Sequence, residues 1–306
     1  MKTVVVLGGT GFIGRSVMRL LQERGQRAVS LSRREGCDLL DLEGLTDRLA
    51  ALRPQALINC AAHVGSLHYV SRNAADVIHD NMRMILNVYA ALRGVCPSAV
   101  LVNPISNCSY PGEAAVQVES EWQNGPVHDS VLAFGSTRRM IHALAASYQR
   151  QHGVGSVNWL VPNAYGPGDA SDPDRVHALN GIIIRLLRAR KAGERRFEIW
   201  GSGRPVREWV YVDDAARVLV ESLEGGTQID PVNIAQKQGH SIAEIAALAA
   251  KILGYEVELV FNTRYPDGAP SKILDDRRFR EKFPHFRFMP IEDGISRTID
   301  YYRSVS

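Results

Sequence analysis

The sequence predicts an α/β chain: a Rossmann-like, doubly wound parallel sheet with a smaller α/β lobe toward the C-terminus. Three observations predict it. Uninterrupted apolar runs alternate with stretches of helical period over roughly the first 160 residues. The first run leads directly into a glycine-rich turn. After Pro162 the alternation stops and shorter, mixed segments follow.

Val4-Val5-Val6-Leu7 contains no polar residue, as a parallel strand covered on both faces requires. Gly14 to Glu23 places Val17, Leu20 and Leu21 at helical spacing. Ala28 to Ser32 reads as a second strand, and Ala56 to Cys60 as a third. Asn81 to Gly94 is an amphipathic helix, Ala99 to Asn103 a strand, Phe134 to Gln151 a helix, and Ser156 to Val161 a strand. Gly166 to Arg175 is rich in Gly, Pro and Asp and reads as a loop. A helix and a short strand, Arg196 to Trp200, follow. Val210-Tyr211-Val212 then reads as a return to the main sheet, with a helix after it. Ser241 to Leu253 and Asp293 to Tyr302 are helices of the last third. The expected division is a dinucleotide-binding domain over 1–165 with a return segment about 208–240, and a substrate-binding lobe from 166–207 and 241–306.

The chain has 306 residues, 45% of them hydrophobic, and a net charge of +3. That is enough to bury a full core, and too mild a charge for nucleic-acid binding. The basic run from Arg185 to Lys191 recurs at helical spacing and reads mostly as a solvated helix face. Cys37, Cys60, Cys96 and Cys108 show no framework spacing, so reduced thiols in a cytoplasm are expected. The histidines form no ligand cluster, so no metal is expected. The first apolar run is too short for a signal peptide, and no stretch reaches transmembrane length.

Gly8-Gly9-Thr10-Gly11-Phe12-Ile13-Gly14 lies between the first strand and the first helix. Glycines there permit a tight turn and close approach to a pyrophosphate, whose charge the helix N-terminus favours. At the end of the second strand an acidic residue would bind ribose hydroxyls; Ser32-Arg33-Arg34 stands there instead. Two guanidiniums suit a 2′-phosphate, so NADP(H) is expected, the plainer reading being that one arginine is only a surface charge.

Several further segments carry a resemblance. They are Ala61-Ala62-His63-Val64-Gly65, Ser106-Asn107-Cys108-Ser109-Tyr110-Pro111, Asn163-Ala164-Tyr165-Gly166-Pro167, Trp200-Gly201-Ser202-Gly203 with Arg207-Glu208, Val212-Asp213-Asp214, and Tyr265-Pro266-Asp267-Gly268 on to Lys272. Together, in this order, they resemble the extended short-chain dehydrogenase/reductase family, and within it the GDP-L-fucose synthases, which are 3,5-epimerase/4-reductases of a GDP-4-keto-6-deoxy sugar. The resemblance implies a nucleotide-sugar substrate and a homodimer built on the helices Asn81–Gly94 and Phe134–Gln151. It implies that Ser106 hydrogen-bonds the sugar carbonyl, that Cys108 is the epimerisation base and that His177 is the epimerisation acid. It implies that Arg185, Arg207 and Lys272 hold the diphosphate, and that Asn163 and Trp200 touch substrate. It also implies that Ala61, Ala62, Asp38 and Leu39 contact the cofactor. His63 stands where such proteins often have Lys.

One position departs from the family. Where it carries Tyr-x-x-x-Lys, this chain has Phe134-Gly135-Ser136-Thr137-Arg138. Phe134 has no hydroxyl to protonate an alkoxide, and Arg138 does not deprotonate at working pH. Arg138, four residues on, can still reach the cofactor ribose. Epimerisation beside a ketone needs only a base, an acid and a donor to the enolate, which Cys108, His177 and Ser106 supply. The expected activity is therefore epimerisation at C3 and/or C5 of a 4-keto nucleotide sugar, with reduction weak or absent. The alternatives are a full epimerase/reductase using another acid (Tyr110, Tyr165 or Tyr69) and a catalytically silent NADP-binding sensor or scaffold. The Cys108 thiol, ordinarily near pKa 8.5, would need a nearby cation, with oxidised nicotinamide or an imidazolium as candidates.

Overall fold

The computed structural model describes residues 2–265 and 267–305. In chain order the first half comprises β1 (Thr3–Leu7), α1 (Phe12–Glu23), β2 (Arg27–Leu31), α2 (Leu42–Leu52), β3 (Ala56–Asn59), α3 (Leu67–Arg72), α4 (Ala74–Val95), β4 (Val100–Ser106), α5 (Leu132–His152) and β5 (Ser156–Val161). The second half comprises β6 (Asn163–Tyr165), α6 (Ala178–Ala192), β7 (Arg196–Trp200), β8 (Val206–Tyr211), α7 (Val212–Glu221), β9 (Gln228–Asn233) and β10 (Gly239–Ser241). It closes with α8 (Ile242–Leu253), β11 (Glu258–Asn262), β12 (Ser271–Lys272), α9 (Arg277–Lys282) and α10 (Ile291–Val305).

Six strands form one parallel sheet in the order β2-β1-β3-β4-β5-β9. The order reverses between β1 and β3, and ligands of open α/β sheets bind outside the strand ends at such a reversal. The apolar run of β1 serves both faces. Val5 and Leu7 pack into the core under α2, α4 and α5, while Val4 and Val6 pack into the core under α1 and α7. A third core joins α6, α8 and α10 in the smaller lobe. Asp41 caps α2 by accepting from Gly44 N, and Ser241 and Glu244 form a reciprocal capping box that opens α8.

Two sequence expectations are corrected. The segment Val210–Val212 does not return to the main sheet. β8 ends at Tyr211 and pairs with β6, β10 and β12 in a separate sheet, and α7 begins at Val212. The sixth strand is β9, at the sheet edge, where Pro231 can sit because that side of the strand needs no ladder donor. The helix expected from Asn81 begins at Ala74, ahead of the polar His79 and Asp80. Among the described residues no helix is long and apolar enough to cross a membrane.

Candidate active site

A cavity of about 1050 Å³ opens at the C-terminal ends of the parallel strands and runs between the sheet and the smaller lobe. Every site residue expected from the sequence lines it except Gly14. Gly14 serves packing instead: a Cβ there would lie 2.2 Å from Gly8 O and 2.8 Å from Gly9 Cα. At one end the turn after β1 supplies Gly8, Thr10, Gly11, Phe12 and Ile13. Gly8 has φ +73°, and a Cβ on it would stand 2.9 Å from the Ala61 backbone. Ala61 and Ala62, just after β3, form the facing wall.

Arg33 and Arg34 project exposed at the same rim, beside Asp38 and the buried Leu39. Glu35 does not oppose them, because its carboxylate accepts from Ser30 Oγ and Ser32 Oγ, both at 2.6 Å, and does not line the cavity. Arg15, which the sequence reading passed over, joins this rim with its Nε donating to Thr10 O at 2.9 Å. The bare backbone cradle and the cationic rim fit a dinucleotide carrying an extra phosphate.

Deeper in, the end of β4 presents Ser106, whose Oγ accepts from Cys108 N at 3.2 Å. The turn carrying Cys108 is held from behind. Trp122 Nε1 donates to Ser109 Oγ at 2.8 Å, and Arg139 donates to the carbonyls of Ser109, Gly125 and Trp122. Lys272 Nζ lies 3.2 Å from Cys108 Sγ. Burial alone would push this thiol up, but the Lys272 charge, the Ser106 and Lys272 hydrogen bonds and the Arg207 charge outweigh it and bring the thiol below its ordinary value. Lys272 and Arg207, which the resemblance places at the diphosphate, thus supply the cation beside the sulfur in place of a nicotinamide or imidazolium. In contrast, burial pushes the Cys60 thiol up to about 12 and the Cys96 thiol up to about 11.

Phe134 sits on α5 in the same cavity wall, 8% exposed, in an apolar group with Val70, Val77 and Ala133, against which Tyr69 and Cys108 pack. Arg138, one turn later and 5% exposed, stands with its guanidinium carbon 5.0 Å from the Phe134 ring centre. It donates to Asn81 Oδ1 at 2.6 Å, while its buried Nε has no partner among the described residues. Burial lowers its pKa to about 10, which leaves it charged at neutral pH. A buried donor on a cavity wall suits a ligand oxygen. Neither Tyr110 nor Tyr165 replaces the missing phenol. Both are buried away from the cavity, and the Tyr110 hydroxyl is spent on Asn233 Oδ1 at 2.9 Å.

His177 is the N-cap residue of α6 and lines the cavity with its ring tilted against Phe12 at 5.1 Å. Its Nδ1 lies 3.0 Å from Asp169 Oδ2, which also accepts from His177 N at 2.8 Å and Asn180 Nδ2 at 2.9 Å. Burial acts to raise the Asp169 pKa, but these His177 and Asn180 contacts outweigh it and hold the carboxyl below the usual range. The contact fixes the proton on Nδ1 and leaves Nε2 as the ring's working nitrogen. Nothing in the sequence singles out Asp169 among the acidic residues of its loop.

The far end of the cavity is built from the smaller lobe. Arg185 lies over Trp200 at 4.6 Å and donates to Glu198 O at 3.0 Å, while Trp200 stacks on Tyr265 at 4.8 Å. Arg185 and Arg188 both line the cavity, so this part of the basic run is not simply a solvated face. Arg207 and Lys272 are register partners on β8 and β12. Asn163 Nδ2 donates to Glu208 O at 3.2 Å. The Glu208 side chain, 1% exposed, accepts from Gln236 N at 2.7 Å and Leu274 N at 2.9 Å, and burial pushes its pKa up to about 7. At the mouth, Asp267 accepts from Ser202 N at 2.6 Å and Ser202 Oγ at 2.7 Å. Pro266, part of the sequence motif here, lies outside the described residues.

Residues 4–235 match the NAD dependent epimerase/dehydratase family, and the chain belongs to it. The chain is 27% identical to a GDP-L-fucose synthase of Escherichia coli, with 98% of this chain and 96% of the relative covered. It is 28% identical to GDP-L-fucose synthase 1 of Arabidopsis thaliana, with 98% and 92% covered. Among solved structures, a GDP-L-fucose synthetase from Naegleria fowleri bound to NADP superposes with a TM-score of 0.88 at 24% identity, covering 99% of this chain and 93% of that one. A GDP-6-OMe-4-keto-L-xylo-heptose reductase from C. jejuni superposes with a TM-score of 0.90 at 20% identity, covering 100% and 98%. At these identities the structural likeness establishes the Rossmann-like fold.

Proposed function

We propose that this member of the epimerase/dehydratase family binds NADP(H) and epimerises C3 and/or C5 of a GDP-linked 4-keto sugar, with reduction weak or absent. The observation that carries the reading is a single cavity whose lining presents a thiol and a serine from the end of β4 and an imidazole from the start of α6, while position 134 offers only a hydrocarbon ring. In this reading Ser106 donates to the developing enolate oxygen, Cys108 removes the proton beside the ketone, and His177 returns one from its Nε2. Asp169 stabilises the imidazolium that precedes that transfer. Arg185, Arg207 and Lys272 attract the diphosphate, and Trp200 and Asn163 border the substrate. Gly8, Gly11, Arg33, Arg34 and Arg138 hold the cofactor, which supplies hydride chemistry when bound. Exposed Ile78 and Leu86 on α4, with Leu132 and Met140 on α5, support a homodimer through these helices.

The test incubates the pure protein with a GDP-4-keto-6-deoxy sugar in deuterated water. Deuterium at C3 or C5 is expected, and a sugar that stays unlabelled overturns the reading.

One observation favours a second reading, in which reduction persists. Tyr69 OH lies 2.8 Å from His63 Nε2, His63 Nδ1 lies 2.8 Å from Asp80 Oδ2, and Tyr69 packs against the apolar group that includes Phe134. That chain of groups could relay a proton near the ketone, although Tyr69 itself does not line the cavity. NADPH consumption at an ordinary turnover, abolished by Tyr69→Phe, would establish it.

A further inference from the structure

Lys272 and Cys108 are 164 residues apart in the chain, yet their side-chain ends are in contact. Three tethers hold them there. β12 pairs with β8 so that Lys272 is the register partner of Arg207. Glu208, next on β8, binds Leu274 N from the buried side. Gln117, nine residues beyond Cys108, donates its N–H to Ile273 O at 2.7 Å and accepts from Asp275 N at 3.0 Å. The strand carrying the ammonium is therefore pinned to β8 on one flank and to the segment that follows the thiol on the other.

We propose that Lys272 is a positioning residue that holds Cys108 as a thiolate before any substrate arrives, and not solely a binder of diphosphate. Lys272 is 8% exposed, and among the described residues neither it nor Arg207 pairs with a carboxylate. A buried ammonium lacking a carboxylate is costly unless another anion sits beside it, and the sulfur is the atom in reach. The charged groups that face the sulfur are Lys272 from β12 and Arg207 from β8. Glu208 turns to the other face, toward Gln236 and Leu274. Cys108 itself is half-buried against the Phe134 group, which screens the pair from bulk water.

The consequence for catalysis rests on Cys108 being the base, whereas the charge state does not. The thiolate takes the proton from the carbon beside the ketone. An S–H bond forms, the C–H bond breaks, and the electron pair passes to the enolate oxygen. The thiol proton then exchanges with solvent, and Lys272 stays an ammonium throughout. A diphosphate arriving at Arg185 and Arg207 meets a cation already engaged, so substrate binding and base strength draw on the same lysine.

The experiment follows thiolate formation against pH in the substrate-free protein. Ultraviolet thiolate absorbance is recorded for the wild-type chain and for Cys108→Ser, and the difference isolates Cys108. Cys60 and Cys96 stay silent over this range because burial pushes them to about 12 and about 11. A midpoint below the ordinary thiol value of about 8.5 is expected, and one at or above it overturns the proposal whatever the variants do. In Lys272→Met the midpoint should rise by about one unit or more, slowing iodoacetamide labelling of Cys108 at neutral pH by about tenfold. Lys272→Arg should restore it. Superimposable wild-type and Lys272→Met profiles overturn the proposal. With substrate, kcat for isotope exchange in Lys272→Met should fall at neutral pH and recover in alkali. A rise in KM alone, equal at every pH, also overturns it. If the thiolate titrates as expected but no deuterium enters the sugar, the epimerase reading fails and the ion pair stands.

Discussion

Phe134→Tyr tests the functional reading by restoring one atom. The ring already lines the cavity, so the added hydroxyl would face ligand and water and need not be buried without a partner. The Arg138 guanidinium stands 5.0 Å from the ring centre and is charged at neutral pH. Taking that distance to the ring centre, an effective dielectric near 20 gives about 3 kcal/mol of attraction for a phenolate before the cost of its burial. That attraction opposes the cost of burying a phenolate at a site only 8% exposed, and so favours donation to a forming alkoxide followed by reprotonation. Loss of a single oxyanion donor elsewhere costs about 10²–10³ in rate, so the variant should reduce the 4-keto sugar about a hundredfold faster than the wild-type chain. The assay is NADPH oxidation with the 4-keto nucleotide sugar, with the reduced sugar identified in the product. Deuterium incorporation should change little, since no group assigned to epimerisation is altered. A folded variant with wild-type reduction rates would refute the reasoning, as would a wild-type chain that already reduces at an ordinary turnover.

Two further outcomes follow from the geometry. Asp169→Asn places an amide where one carboxylate takes four donors, from His177 N, His177 Nδ1, Asn180 and Ala170. It should cost about 1–3 kcal/mol of stability and slow isotope exchange more than it weakens cofactor binding. Because the Asp169 pKa is lowered by folding, its contribution is present above the ordinary carboxylate value of about 3.9 and is lost as pH falls through the folded value. The melting-temperature gap between wild type and variant should therefore close in acid. Replacing Arg33 and Arg34 with alanine should weaken NADPH about tenfold or more while leaving NADH little changed, and added salt should shrink the difference. Equal losses for both cofactors, measured by titration, would remove these residues from a 2′-phosphate site.

Local pattern reveals some of this molecule and hides the rest for a physical reason. The GGTGFIG turn, the apolar run of β1 and the Arg33–Arg34 pair are legible because each carries its meaning within a few residues. Cys108 and the Phe134–Arg138 departure are legible through the motifs around them. β9 is not, because Pro231 and Asp230 disguise an edge strand, and β8 misleads because its apolar end belongs to a different sheet. The contact of Lys272 with Cys108 and that of Asp169 with His177 are tertiary facts. The Lys272–Cys108 pair spans 164 residues, and Asp169 is one acidic residue among several in an irregular loop. Glu208 reads as half of an Arg-Glu dipeptide, and only the fold turns its carboxylate inward to hold the strand that carries Lys272.

The clasps at the two ends of the cavity are of unequal strength. The Asp267–Ser202 contact at the mouth is solvated, as are Trp200 and Tyr265 beside it. The Glu208 knot beneath Arg207 and Lys272 is sealed from water. The outer lip is therefore held by contacts that water can compete for, while the strand that carries Lys272 against the Cys108 sulfur is held by contacts that it cannot reach. Substitutions at the lip should accordingly cost less stability than substitutions at Glu208.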